Sequence, residues 1–305
     1  MTIKNKKIKL RYGENPQQIS FIVKNELKSI FEFQISGKKL SYNNIVDVDS
    51  GLRCLNEFNE PTSIIVKHNN PCGVASAKNI NLAFQKSYQC DPKSAFGGII
   101  LLNRKVDLLL AKKVVKNFFE IIVAPSFEKV AIDKLKIKKN LIILETPNIK
   151  REKFEVKSTL FGNIYQSIDI SPINKNFIKL VSIKKASTIQ LEDLLFSLKV
   201  VKHLKSNAVV LSNNKQTLGL GHGQTNRIDA LKFAIRNRNI FFKKKPFVCA
   251  SDGFFPFIDG LKLLKKNSCN TIAQPFGSIS DKKIISFATN NKISLYSIKN
   301  RLFRH

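Results

Sequence analysis

The chain has 305 residues, 43% of them apolar, which is long enough for one large or two ordinary domains and too apolar for a disordered chain. Its five cysteines (54, 72, 90, 249 and 269) are odd in number and show no C-x-x-C spacing, which argues against a disulfide framework or a zinc ribbon and suits a reducing compartment. The charge is +30, from 52 basic and 22 acidic residues.

The first residues, MTIKNKKIKLRYGENP, are basic and lack the apolar core of a secretory signal. No apolar run approaches the roughly 20 residues of a bilayer span, so the expectation is a soluble, cytoplasmic protein. Next, TSIIVKH (62–68), GGIILLN (97–103), EIIVAP (120–125) and NLIILE (140–145) read as buried strands, with helical spacing of apolar residues over 106–119. A polar, irregular stretch at 146–189 is the candidate boundary. Beyond it come an amphipathic helix (190–206), a strand (207–213), a glycine-rich turn and a helix (227–237). The end of the chain reads as PFVCASD (246–252), helix 258–267, strand 269–275, helix 280–291 and strand 292–297. Strands alternating with helices predict an α/β fold with a largely parallel sheet. No sequence repeat is visible, although the two halves share a grammar.

The lysines are scattered. KNKKIK, KLKIKK and FFKKKPF are short and far apart, and the excess accompanies abundant Asn, Ile and Phe with no Trp, as A/T-rich codon usage would produce. Nucleic-acid binding is therefore not expected, whereas a basic surface does attract small anions.

In open α/β sheets ligands gather beyond the carboxyl ends of strands. Three unusual clusters fall there: Lys67-His68-Asn69, SDGFFPF after 246–250, and QPFGS after 270–273. Neighbours on an ideal strand face opposite sides, so Lys67 and His68 share a site only if the strand has ended, and Asn69-Asn70-Pro71 is turn chemistry. A solvated turn and an acid–base pair both fit this spacing. In LGLGHGQTNRIDA (218–230) Gly219, Gly221 and Gly223 permit close backbone approach and Arg227 adds a cation, yet a plain tight turn fits equally. SDGFFPFID (251–259) sets three Phe beside Asp252 and Asp259, as a planar heterocycle or an ordinary core would require. His203 reads as structural, His222 has no evident partner, and no metal-ligand spacing suggests a catalytic metal.

The motifs LRYGENPQQ (10–18), LSYNNIVDVD (40–49), VKHNNPCGVA (66–75), DPKSAFGGII (91–100), KSNAVV (205–210), GLGHGQTNR (219–227), SDGFFPFID (251–259), QPFGSISD (274–281) and the terminal RLFRH, in this order, resemble one family. It is the transformylase part of the bifunctional enzymes that join AICAR formyltransferase to IMP cyclohydrolase. The resemblance covers nearly all residues after about 10. His222 in the glycine turn and Ile258 before the aspartate depart from the family pattern. The family's N-terminal cyclohydrolase domain has no counterpart in these residues, so the cyclohydrolase activity is expected to be absent from this chain.

The resemblance implies two tandem cytidine-deaminase-like α/β/α subdomains with mixed sheets and no zinc: a basic tail (1–10), a first subdomain with its connection (11–185) and a second (186–305). It implies a phosphoribosylaminoimidazolecarboxamide formyltransferase using 10-formyltetrahydrofolate as co-substrate, without a catalytic metal, and a homodimer with shared active sites. Lys67, His68 and Asn207 are then catalytic. Arg11, Tyr12, His68, Gly97, Glu120, Asn207, Arg227, Phe254, Arg301 and His305 are placed at the nucleotide, and Ile228, Asp259, Ser278 and Ile279 at the folate. A basic nucleic-acid-binding protein and a catalytically decayed scaffold are the rival classes; retention of Lys67, His68, Asn207 and Arg301 speaks against decay.

Overall fold

Continuous apolar runs become strands covered on both faces. A computed structural model describes residues 7–15, 17–23, 30–146, 154–243 and 245–305. Residues 1–6 of the expected tail, Pro16 of the first motif, 147–153 of the expected boundary and Lys244 lie outside the described residues. A short antiparallel pair, β1 (Lys7–Lys9) and β2 (Phe21–Val23), comes first. The first half then runs β3 (Gln34–Ser36), α1 (Tyr42–Leu55), β4 (Thr62–Lys67), β5 (Asn70–Ser76), α2 (Ile80–Cys90), α3 (Pro92–Ala95), β6 (Ile99–Leu102), α4 (Leu108–Val114), β7 (Ile121–Ala124), α5 (Lys129–Lys136) and β8 (Ile142–Glu145). A hairpin of β9 (Phe154–Thr159) and β10 (Gly162–Ser167) intervenes. The second half runs β11 (Ile178–Leu180), α6 (Thr188–Val201), β12 (Val209–Asn213), β13 (Gln216–Gly221), α7 (Arg227–Phe241), β14 (Val248–Ser251), α8 (Asp259–Lys266), β15 (Thr271–Pro275), α9 (Asp281–Asn290) and β16 (Ser294–Ile298).

The described strands other than β1, β2, β9 and β10 form one mixed sheet, ordered β11-β16-β15-β14-β12-β13-β5-β4-β6-β7-β8-β3. The halves join where β13 meets β5, at Gln216 opposite Ala75. In each half a hairpin (β4–β5, β12–β13) leads into three parallel strands (β6–β8, β14–β16) closed by an antiparallel edge strand (β3, β11). β11 precedes residue 185 in sequence but pairs with β16 of the second half.

Strand alternation sorts the core into layers. Ile64 and Val66 join α1, α6 and the second-half residues Val210 and Ala273 in one cluster across both halves. Ile65, Ile100 and Ile122 face α2, α4 and α5, whereas Val209, Leu211 and Ile272 face α7, α8 and α9. The predicted α/β/α architecture with mixed sheets is thus present, as a single continuous sheet, but the largely parallel sheet expected from the strand–helix alternation is not: only four of its eleven strand pairings are parallel, because hairpins and antiparallel edge strands frame each parallel trio.

The duplication is precise in the residues that fix backbone, although the sequence conceals it. Ser41 caps α1 with Asn44 in a capping box, and Ser187 caps α6 with Gln190, 146 residues later. The β4–β5 and β12–β13 hairpins each turn through two residues with positive φ: His68 and Asn69 (52° and 62°), and, again 146 residues on, Asn214 and Lys215 (50° and 51°). Positive φ at both central residues matches the twist of the strands they join. Gly73 and Gly219 each sit under a helix carbonyl, where a Cβ would stand 2.1 Å from Ser87 O and 2.0 Å from Ala234 O.

This pairing corrects three sequence expectations. Asn70 and Pro71 begin β5, so the turn is His68–Asn69. Gly219 and Gly221 lie inside β13, where they admit α7, and Gly223 alone of the three has positive φ. The helix expected over 106–119 is confined to Leu108–Val114, started by the Asp107 side chain.

Candidate active site

Because β5 and β13 are antiparallel, the parallel strands of the two halves run in opposite senses. One sheet edge therefore collects the carboxyl end of β4, the amino ends of β6 and β7, the amino end of β12 and the carboxyl ends of β14–β16. Every residue named above as a site residue lies along or beside this edge. The carboxyl-end rule accounts for the β4 and second-half clusters, but Gly97 and Glu120 stand before β6 and β7.

At the centre is the His68–Asn69 turn. Two non-glycine residues in the left-handed region cost roughly 1–2 kcal/mol each, so the surroundings must hold them. Asp47 on α1 accepts a hydrogen bond from Asn69 N (2.5 Å). Ser50 Oγ donates to Asn69 O (3.1 Å), Arg304 Nη2 approaches Asn69 Oδ1 (3.5 Å), and Lys205 N donates to Asn70 Oδ1 (3.2 Å). His68 is left exposed and Lys67 half-buried, and both open into a cleft of about 330 Å³ at the junction of the two halves. Lys67 Nζ donates to Phe96 O (2.5 Å), beside Gly97 with φ +69°.

The same cleft contains Cys72, His222 and Gln224. Burial pushes the Cys72 thiol well above its ordinary value, which disfavours the thiolate a nucleophile needs. Burial likewise lowers the His222 pKa, favouring a neutral imidazole on the cleft wall.

Further along the first half, Glu120 Oε2 accepts from Asn44 Nδ2 (3.1 Å) and lies 3.9 Å from Lys38 Nζ. The segment carrying Arg11 and Tyr12 is pinned beside it: Arg11 N donates to Leu40 O, Tyr42 N to Tyr12 O, and the Arg11 guanidinium lies over the Tyr12 ring at 4.7 Å. Asp47, Asn44, Lys38 and Arg304 were not singled out from the sequence. A Ser-x-x-Asn capping pattern at 41–44 was the one available signal for α1 and its neighbours.

In the second half Asn207 Nδ2 donates to Gln224 O (2.9 Å) and Thr225 O (3.2 Å), so its amide is aimed at the 224–225 loop. Arg227 is buried and engaged. It bonds Ser251 Oγ (2.9 Å), Phe254 O (3.3 Å) and the buried Asp252 carboxylate (2.8 Å), which balances its charge. Arg301 is exposed, and its guanidinium and that of Arg227 lie 5.2 and 5.8 Å from the Phe303 ring. His305 is exposed with its ring 6.0 Å from Phe303. Ile228, in the first turn of α7, is half-buried. Asp259 at the start of α8 is exposed, as is Ile279, beside the half-buried Ser278 in the turn between β15 and α9.

The chain thus presents two groups on one edge: Lys67, His68, Gly97, Glu120, Arg11 and Tyr12, and, across the sheet, Asn207 to His305. From β7 to β14 there are six strand spacings, roughly 29 Å along the sheet. Among the described residues, no group of three or more His, Cys, Asp or Glu is arranged to hold a metal ion, and no helix is long and apolar enough to cross a membrane.

A family model described as AICARFT/IMPCHase bienzyme matches residues 1–237. Proteins named bifunctional purine biosynthesis protein PurH from Caldicellulosiruptor bescii, Limosilactobacillus reuteri and Buchnera aphidicola are 44%, 41% and 43% identical to the chain, over 97%, 97% and 98% of it. The chain spans about 59% of the length of these relatives. With a model that matches most of its length and relatives this similar, the chain belongs to the AICARFT/IMPCHase bienzyme family.

Proposed function

We propose that this chain transfers the formyl group of 10-formyltetrahydrofolate to the 5-amino group of AICAR, giving FAICAR and tetrahydrofolate on the route to IMP. The observation that carries this reading is the pairing of Lys67 and His68 at one strand end, opening together into the cleft between the halves. The amine of AICAR is a poor nucleophile, because its lone pair is delocalised toward the carboxamide. His68 accepts its proton as attack proceeds, and Lys67 donates one to the departing N10 and offers its cation to the developing oxyanion. Asn207 orients the carboxamide side, and holding both substrates together supplies the orientation gain.

Arg11, half-buried with its Nη2 on the Tyr12 hydroxyl, and the exposed Arg301 are the proposed phosphate contacts, with Arg227 supporting them through Asp252. Tyr12, Gly97, Glu120, Phe254 and His305 complete the nucleotide side, and Ile228, Asp259, Ser278 and Ile279 the folate side. No catalytic metal is required by these steps. The five free cysteines suit action in a reducing cytoplasm. Family membership and the lysine–histidine pair do not favour a nucleic-acid-binding protein or a decayed scaffold.

The functional unit we infer is a homodimer. The proposed site residues spread over roughly 29 Å, from Glu120 before β7 to Phe254 after β14, which is more than one mononucleotide spans and supports sites completed by a second copy. The β9–β10 hairpin also exposes Phe154, Val156, Leu160, Phe161, Ile164 and Tyr165. A two-stranded hairpin is marginal alone, and such apolar exposure marks an association surface. The two subdomains, 11–185 and 186–305, would each lend one group to the site.

Steady-state turnover of His68→Ala and Lys67→Met tests the chemistry. We expect kcat to fall about 10²–10⁴-fold in the first, the usual worth of a placed acid–base group, and nearly to vanish in the second, with unchanged melting. Full turnover by His68→Ala would remove the base from the mechanism.

A further inference from the structure

The duplicated fold holds the same clamp twice, and only one copy lies beside proposed chemistry. Asp47 occupies the sixth position after the Ser41 cap of α1, and Asp193 the sixth after the Ser187 cap of α6. Both carboxylates reach from the helix to the backbone of the two-residue turn behind it. Asp47 accepts from Asn69 N at 2.5 Å, and Asp193 accepts from Asn214 N at 2.9 Å and Lys215 N at 2.7 Å. The turns themselves share their left-handed backbone. What differs is what they carry and where. His68–Asn69 opens on the cleft, whereas Asn214–Lys215 lies at the opposite edge, where Lys215 is tied to Glu60 and Glu192.

We propose that Asp47 is a positioning residue for His68, fixing the turn that aims the imidazole, and that Asp193 is its structural counterpart without a part in the reaction. This inference rests on the reading of His68 as the base. Asp47 does not reach the substrate; it acts on the backbone. The N–H it holds belongs to the residue after His68, and releasing that amide frees the φ and ψ that set the direction of the His68 side chain. The His68–Asn69 copy is also held by Ser50 on Asn69 O and by Arg304 on Asn69 Oδ1. At the other copy Lys86 Nζ bonds Asn214 O (2.9 Å) and Ser76 N bonds Lys215 O (2.9 Å), contacts that tie the turn to the neighbouring strand and helix.

The two clamps provide an internal control. Asp47→Ala removes a half-buried acceptor and Asp193→Ala a buried one, and each should lower the melting temperature by about 2–5 °C. Their activities should part. In Asp47→Ala the kcat for formyl transfer should fall about 10–100-fold, as expected for a misplacement near 1 Å, with KM for AICAR within about threefold of wild type. In Asp193→Ala kcat should stay within twofold. Asp47→Asn, whose amide oxygen still accepts from Asn69 N, should recover most of the loss. If Asp47→Ala does not fold, Asp47→Glu replaces it: moving the carboxylate out by one methylene should lower kcat at least tenfold. Wild-type kcat in Asp47→Ala or Asp47→Glu, or equal losses of kcat in the Asp47 and Asp193 variants, would overturn the proposal. An inactive wild-type enzyme would instead defeat the formyltransfer reading itself, which keeps the two failures distinct.

Discussion

Gly97→Ala probes the proposed site through a single methyl group. Gly97 has φ +69°, and a Cβ there would lie 3.2 Å from Lys67 Nζ and 3.3 Å from Phe118 Cε1. Placing an L-residue in the left-handed region costs roughly 1–2 kcal/mol. With about 2.1 cal/mol/K of unfolding entropy per residue over a chain of this length, that lowers the melting temperature by about 2–3 °C. Gly223 is the matched control, since its φ is +67° and nothing lies within 4 Å of its would-be Cβ. Gly223→Ala should melt with the same deficit. The added effect of Gly97→Ala is therefore the contact alone. It displaces the Lys67 amine by a few tenths of an ångström from its place beside Phe96 O. If a 1 Å error costs about a hundredfold, this shift costs roughly 3–10-fold in kcat. Differential scanning calorimetry and steady-state formyl transfer read the two effects separately. Wild-type kcat in Gly97→Ala would show that the Lys67 position is not critical, and an unchanged melting temperature would refute the strain.

Gly221→Ala should be far more damaging, because its Cβ would stand 1.8 Å from Ala230 O and force β13 away from α7. A loss of about 3 kcal/mol or more, seen as a lower denaturant midpoint, is expected, and tolerance of the methyl would contradict the packing role given to this glycine. The buried cluster of Glu57, Lys202 and His203 gives a pH dependence. Burial holds the His203 pKa below its ordinary 6.5 despite the Glu57 contact, so the unfolded chain takes up this proton first and stability falls as pH drops through about 6.5. Burial raises the Glu57 carboxyl, but His203 and Lys202 outweigh it and hold it below 4.5, so its contribution is lost at still lower pH. His203→Gln should flatten the loss between pH 7 and 5.5 in urea titrations, and an unchanged slope would count against it. Arg301→Ala should weaken AICAR binding in calorimetric titration while leaving the melting temperature in place; unchanged affinity would remove that phosphate contact.

The strands β4 and β6–β8 were legible because each carries a run of three or four consecutive apolar residues buried on both faces, and β14–β16 because short apolar stretches alternate there with helical segments. α1 was not, since Asn43, Asn44, Asp47, Asp49 and Gly51 interrupt its helical pattern; Asn44, Asp47 and Gly51 serve a cap, a turn clamp and close contact with Leu101 instead. β13 was hidden by Gly219 and Gly221, whose missing side chains resemble turn chemistry until a helix is placed above them. The duplication was expected from the family resemblance and the shared grammar of the halves but shows as no sequence repeat, because what repeats is a few backbone-fixing residues 146 apart, too sparse to appear as sequence similarity. In the site, Lys67 and His68 stood out at a strand end, whereas Asp47 and Arg304 act across long sequence separations that no local pattern displays.

The central claim is that these residues move a formyl group from folate to AICAR. The direct measurement is to incubate the purified chain with AICAR and 10-formyltetrahydrofolate and to quantify tetrahydrofolate, FAICAR and IMP separately. Enzyme-dependent tetrahydrofolate and FAICAR in equal amounts, without catalysed formation of IMP, is the predicted result. No FAICAR above the uncatalysed background would contradict the formyltransferase reading, and IMP formed at a catalysed rate would contradict the assignment of transfer alone to this chain.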